Sequence, residues 1–227
     1  MTSEEPYHPT YGAALAFHAA TRPDQPALRH GERVTTYAEY DRHVTRVANG
    51  LAAMGLKQGD RVAYFGKNSD LAVELALGAA RAGMVFIPII WRLAPAEVAF
   101  IMADSGAQVL FREDEFAQVG FAGPVISMER DFAGWRDAQA DSPVATEVGP
   151  HDPLLQLYTS GTTGLPKGVV LSHHNGTHLR PLMKANGIYW YCADAGDSVI
   201  LAMPYGHIAG VGTALGAALG GQELLVH

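Results

Sequence analysis

The sequence predicts an α/β fold of layered, largely parallel β-sheets flanked by helices. Three observations lead there. Short apolar runs such as RVAYF, VFIPII and QVLF read as buried strands, and segments with apolar residues at three- and four-residue steps read as amphipathic helices. The two kinds alternate, with crossovers of about a dozen residues, the spacing of right-handed βαβ units in a parallel sheet.

In chain order, ALRHGERVT around Gly31 reads as a small hairpin. A helix follows over 36–54, where Tyr37, Tyr40, Val44, Val47, Leu51 and Met54 fall on one face. Thr36 and Glu39 have the spacing of a capping box at its start, and Gly55 suits a left-handed stop at its end. The turn KQGD then leads into RVAYF. Asp70 to Ala82 reads as a helix stopped by Gly83; VFIPII is the next strand, and Pro95 opens a helix to about Ser105, ahead of QVLF. The pattern weakens from Glu113 to Pro150, where VIS reads as a strand and DFAGWRDAQ as a short helix before a Pro/Asp/Gly-rich connector. A subdomain boundary is expected near Gly149, with βαβ units to about residue 127 and the connector to 149 forming the end of a first α/β subdomain (1–149). A loop-bearing hairpin and the start of a second subdomain would occupy 150–227.

Composition narrows the classes of function. The chain has 227 residues with 16 Lys+Arg against 23 Asp+Glu, a formal charge of −7, which carries no nucleic-acid footprint. Apolar residues make up 48%, enough for a packed core. Cys192 is the only cysteine, so no intrachain disulfide is expected and a reducing, cytoplasmic setting is the default. The start, MTSEEPYHPTY, has acids and prolines where a secretory signal needs a basic and then an apolar region. Ser198 to Gln222 carries no formal charge and is long enough to span a bilayer. Pro204, His207 and six glycines within it favour Gly/Ala-rich soluble packing, the membrane span standing as the alternative.

Chemistry concentrates in LLQLYTSGTTGLPKGVVLSHHN, from Leu154 to Asn175. Two apolar strands flank a loop in which Thr159, Ser160, Thr162 and Thr163 alternate with Gly161 and Gly164, closing on Lys167. Glycines let backbone N–H groups converge on an anion, hydroxyls add donors, and one ammonium supplies the countercharge. The order differs from a Walker loop, because Pro166 precedes Lys167 and Gly168 follows it. By composition alone the same cluster reads more readily as a flexible hairpin than as a phosphate site.

YTSGTTGLPKG with the following strand and SHHN closely resembles the phosphate-loop signature of adenylate-forming enzymes: acyl-CoA synthetases, luciferases and peptide-synthetase adenylation domains. Other strings agree in the family's order. TTYAEY resembles its early helix-opening motif, AARAGMVFIPII its core motif, and Pro204-Tyr-Gly-His207-Ile-Ala-Gly210 its acyl-site motif. The resemblance runs from about Tyr11 to the end. It implies the first part of the large N-terminal domain of such an enzyme, in the acyl-CoA synthetase branch. It also implies a two-step reaction: ATP-dependent activation of a carboxylic acid to an acyl-adenylate, then thioester formation with coenzyme A. By the same resemblance Thr159, Ser160, Gly161, Thr162, Thr163, Gly164 and Lys167 would hold the β- and γ-phosphates of ATP with Mg²⁺, and His207 would sit at the carboxylate end of the acyl site. Gly210 and Gly212 would belong to its wall.

Without that motif His207 is a packed, hydrogen-bonded histidine. His173, His174 and His178 invite a metal reading by their spacing but lack a further ligand, and are assigned to the start of a helix. A dinucleotide fingerprint is off by one residue at Gly210-x-Gly212-x-x-x-Gly216, and no nucleophile elbow occurs. MPYGHIAGVGTALGAALGG has no carboxylate to neutralise a substrate ammonium, which favours a simple carboxylic acid over an amino acid. Small residues at Gly206, Ala209, Gly210, Gly212 and Ala214 leave room for a medium or long acyl chain or an aryl ring. The family's later segments, including the aromatic-Thr-Glu motif, a ribose-binding Asp and the small C-terminal domain, are not located in these residues, which implies no useful turnover by this chain alone. The partner expected is a small-molecule acid. The alternative is a non-catalytic binding module that keeps the fold, forming homo-oligomers through its exposed core surface.

Overall fold

The computed structural model describes residues 6–159, 165–188 and 193–227. Cys192 lies outside them. Helix α1 (Tyr11–Thr21) precedes a hairpin of β1 (Pro26–His30) and β2 (Arg33–Thr36), and α2 (Tyr37–Ala53) starts where the sequence places it. The capping box forms: the Thr36 hydroxyl accepts from the Glu39 N–H at 3.3 Å and the Glu39 carboxylate accepts from the Thr36 N–H at 2.9 Å. The stripe Tyr37, Tyr40, Val44, Val47 and Leu51 is buried, and Gly55 beyond it takes φ +87°.

Strand β3 (Arg61–Gly66), α3 (Asp70–Arg81), β4 (Val85–Ile90), α4 (Pro95–Ser105) and β5 (Ala107–Arg112) follow as βαβ units; β6 (Val125–Ser127) and α5 (Phe132–Asp137) complete that run. Residues of β3 alternate between two core clusters. Val62 and Tyr64 pack on one side, with α1, α2 and α3, while Ala63 and Phe65 pack on the other, with α4. Burial on both faces is why this strand reads as a continuous apolar run rather than an alternating one.

Strands β7 (Pro153–Thr159) and β8 (Lys167–Ser172) form an antiparallel hairpin, and β7 pairs in parallel with β4. The six-stranded sheet has the order β6-β5-β3-β4-β7-β8. Helices α6 (His173–Thr177) and α7 (Leu179–Ala185), strand β9 (Ser198–Leu201), α8 (Ile208–Gly220) and β10 (Glu223–Val226) complete the order. The second sheet, β2-β1-β10-β9, joins strands from both ends of the sequence. The strands therefore do not partition at residue 149: the hairpin beyond it extends the first sheet, and β1 and β2 belong with the last strands. Among the described residues no helix is long and apolar enough to cross a membrane.

Two buried carboxylates one turn apart on α3 tie the layers together. Asp70, 1% exposed, is held by Arg33 at 2.5 and 2.6 Å and by His30 at 3.0 Å. Burial would raise its pKa, but the hydrogen bonds from Arg33 and His30 outweigh burial and hold it below the usual aspartate value. Glu74 is equally buried between His43 at 2.8 Å and Arg136 at 2.5 Å.

His173, at the start of α6, is fully buried and its Nδ1 accepts the Tyr11 N–H at 3.3 Å. Burial pushes its imidazole down to about 4, against a smaller upward pull from Asp152. Unfolded, the same group takes a proton near 6.5. Between those values the unfolded chain binds more protons, so stability falls as pH falls through that window, by about 3 kcal/mol from this group. His173→Gln should flatten the difference in urea midpoint between pH 7 and pH 4.5; an unchanged pH slope would remove His173 as its source.

Candidate functional site

The carboxyl ends of parallel strands are where open α/β sheets bind ligands, and both motif regions lie at such ends. Thr159 closes β7 and pairs in register with Lys167, the first residue of β8, so the hydroxyl-bearing and ammonium-bearing residues flank the loop between them. Both are exposed. Ser160, Gly161, Thr162, Thr163 and Gly164 lie outside the described residues. Among the described residues no carboxylate pairs with Lys167, so its charge is available to an anion at the hairpin's open end. The adjoining strand is fixed from its side, where Tyr158 donates to Asp104 at 2.6 Å.

The second motif connects β9 to α8, and close packing explains its residue types. Tyr205 is buried, 6.1 Å edge-on to Tyr64 and 6.0 Å from Phe86 between ring centres. A Cβ on Gly206 would stand 2.7 Å from the Ile90 backbone, and one on Gly210 would stand 2.1 Å from the Pro204 carbonyl oxygen. Neither position has room for a side chain. His207, anchored between them, is exposed and caps α8, its carbonyl accepting from the N–H groups of Gly210 at 2.9 Å and Val211 at 3.0 Å.

From Ile208, the residue that follows His207, an apolar cavity of about 260 Å³ runs along α8. One wall is a stripe of α8, namely Ile208, Gly212, Leu215, Gly216 and Leu219, and the opposite walls come from Leu154, Leu155, Leu171 and Ser172 on the hairpin, Asn175 and Gly176 on α6, Leu179 and Arg180 on α7, and Tyr11 on α1. From Ile208 to Leu219 the stripe runs about 16 Å along the helix axis. Of the small residues expected to shape an acyl wall, Gly212 lines this cavity. Gly206 and Gly210 do not, being spent on backbone contacts; Ala214 is buried in the core and Ala209 is exposed.

His174 stacks on His178 with ring centres 4.9 Å apart and lies 5.1 Å from His151, yet among the described residues no group of three His, Cys, Asp or Glu is placed to hold a metal ion. Sequence reading missed Asn68, whose side chain reaches the β9–α8 connection from the turn after β3. It also missed the hairpin and α7 walls of the cavity. Leu154 and Leu171 signalled only buried strand, and Leu179 carried no distinguishing signal.

The profile of the AMP-binding enzyme family matches residues 15–227. A fatty acid–[acyl-carrier-protein] ligase, ScoC, of Streptomyces coeruleorubidus is 40% identical over 90% of this chain and 41% of its own length. A feruloyl-CoA synthase of an Amycolatopsis species is 37% identical over 92% of this chain and 42% of its own. Among solved structures, the inhibitor-bound N-terminal domain of FACL13 from Mycobacterium tuberculosis superposes with a TM-score of 0.85 at 33% identity, over 95% of this chain and 56% of that one. The chain thus spans about two fifths of the length of the curated relatives it matches.

Proposed function

Because the chain belongs to the AMP-binding enzyme family, we propose that it supplies the acid-binding and phosphate-binding share of a ligase that activates a carboxylic acid with ATP and transfers the acyl group to coenzyme A. The observation that carries this reading is the apolar cavity that follows α8 from Ile208, the residue after His207, to Leu219. Its form suits a linear acyl chain of medium or greater length, with the carboxylate at the α8 amino end and the tail towards Leu219. The positive end of the helix dipole favours a carboxylate there.

In the reaction, a carboxylate oxygen attacks the α-phosphorus of ATP and the bond to the β-phosphate oxygen breaks, releasing pyrophosphate. The thiol sulfur then attacks the acyl carbonyl, the bond to the phosphate oxygen breaks, AMP leaves, and the thiol proton passes to solvent. The chain's part is positioning and charge neutralisation. The donor set at the end of the β7–β8 hairpin, an ammonium with hydroxyls, fits a polyphosphate: Thr159, Ser160, Thr162, Thr163 and Lys167 would hold the β- and γ-phosphates, with Gly161 and Gly164 letting the backbone approach. Mg²⁺, bound to the triphosphate, would neutralise phosphate charge. His207 would orient the acid's carboxylate at the amino end of α8. We assign turnover to a longer parent protein rather than to these residues alone.

Gly212→Leu tests the reading. Titrated with linear carboxylic acids of increasing length, the unmodified chain should gain about fourfold in affinity per methylene until the cavity is filled. The variant should reach its plateau several methylenes earlier, and identical length profiles would refute this cavity as the acyl site.

A further inference from the structure

We infer that Asn68 is the positioning residue for the carboxylate end of the acid site: it fixes the β9–α8 connection and so sets where His207 and the amino end of α8 stand. It rests on the acid-activating function proposed above.

Asn68 lies in the short turn between β3 and α3, and its neighbours immobilise that turn. Ser69 caps α3 by accepting from the Leu71 N–H at 3.2 Å, and the Lys67 ammonium pairs with Glu115 at 2.6 Å. An asparagine in such a place commonly folds back on its own backbone. This one does not. Its Oδ1 accepts the Tyr205 N–H at 2.8 Å, two residues before His207. Its Nδ2 faces the carbonyl oxygens of Leu201 and Met203 at 3.2 Å and a main-chain oxygen of His227 at 3.4 Å. All of these partners lie at least 133 residues away in sequence. One amide therefore gathers the carboxyl ends of β9 and β10 and the segment leading to His207 onto the end of β3.

Only a side chain that offers a donor and an acceptor from a single carbon meets both demands. A carboxylate would turn an oxygen towards the carbonyl oxygens of Leu201 and Met203, and an aliphatic group would leave the Tyr205 N–H without its partner. The rest of the connection is held by packing, through the buried Tyr205 ring and the close approaches at Gly206 and Gly210. Asn68 supplies its polar anchor immediately before the histidine.

A double-mutant cycle tests this. Dodecanoate is titrated calorimetrically into the 227-residue chain, unmodified and as Asn68→Ala, His207→Ala and the double variant, with circular dichroism confirming that each is folded. If Asn68 acts through His207, each single change weakens binding about tenfold and the double variant is no weaker than His207→Ala. Equal losses from Asn68→Ala in both backgrounds, as a general loosening of the fold would give, overturn the positioning role alone, as does no loss at all. Failure of the unmodified chain to bind dodecanoate, or indifference to His207→Ala, overturns the acid-site reading and takes this role with it. Should Asn68→Ala not fold, Asn68→Asp, which keeps the volume and the acceptor for Tyr205, enters the same cycle.

Discussion

Arg136→Ala should destabilise the chain by about 3–5 kcal/mol and lower its melting temperature by roughly 10 °C. The reason is the company Arg136 keeps. Its guanidinium is 9% exposed and stands 2.5 Å from the carboxylate of Glu74, itself 1% exposed in the middle of α3. Burial would lower the Arg136 pKa, but Asp137 and Glu74 outweigh it and keep the group firmly charged. Truncating Arg136 leaves Glu74 with His43 at 2.8 Å as its remaining partner, in a place water does not reach. The loss is that of an under-compensated buried charge, so neutralising the other side should restore stability. The double variant Glu74→Gln/Arg136→Met is expected to be more stable than Arg136→Ala. Urea denaturation of the three proteins decides the matter: a loss below about 1 kcal/mol for the single variant would place this pair with ordinary surface ion pairs.

Gly210→Ala should cost about 2–3 kcal/mol, whereas the same exchange at Gly216, further along the same helix, should stabilise by about 0.5–1 kcal/mol. The added methyl at 210 would lie 2.1 Å from the Pro204 carbonyl oxygen and 2.8 Å from that of Met203, so the start of α8 must move off the preceding turn. At Gly216 it would meet nothing within 4 Å, and only the helix-forming advantage of alanine remains. Chemical denaturation gives both signs in one experiment. Equal effects at the two positions would show that the close approach at Gly210 is relaxed in solution.

Local grammar made much of the fold legible. The capping box at Thr36, the glycine stops and the apolar runs of β3, β4 and β5 are decided within a few residues, and they form where the sequence indicates. Helix α1 escaped because its buried stripe, Tyr11, Ala14, Leu15 and His18, is diluted by alanines on the outer face. The division into sheets escaped for another reason: nothing near β1 announces that its partner is β10. The site was legible as strings, and the close contacts at Gly206 and Gly210 explain why the string around His207 has the residues it has. The cavity was not legible, since its walls come from α1, the hairpin, α6, α7 and α8, and its apolar wall residues look like ordinary core in their own segments. Asn68 and the ion clusters of α3 share that property, their chemistry existing only once distant elements meet.

Strand β1 pairs in parallel with β10, and Arg29 meets Glu223 across 194 residues. On a ribosome working at about 5–20 residues per second, the hairpin of β1 and β2 waits on the order of ten to forty seconds for that neighbour. All strands of the other sheet are synthesised in the interval, so the nascent chain carries β1 as an open edge while the rest of its first core condenses. An open edge invites pairing with another nascent chain. Arg29 and Arg33 on this hairpin place charge along it, and their later partners, Glu223 and Asp70, turn that temporary guard into the ion pairs of the finished molecule.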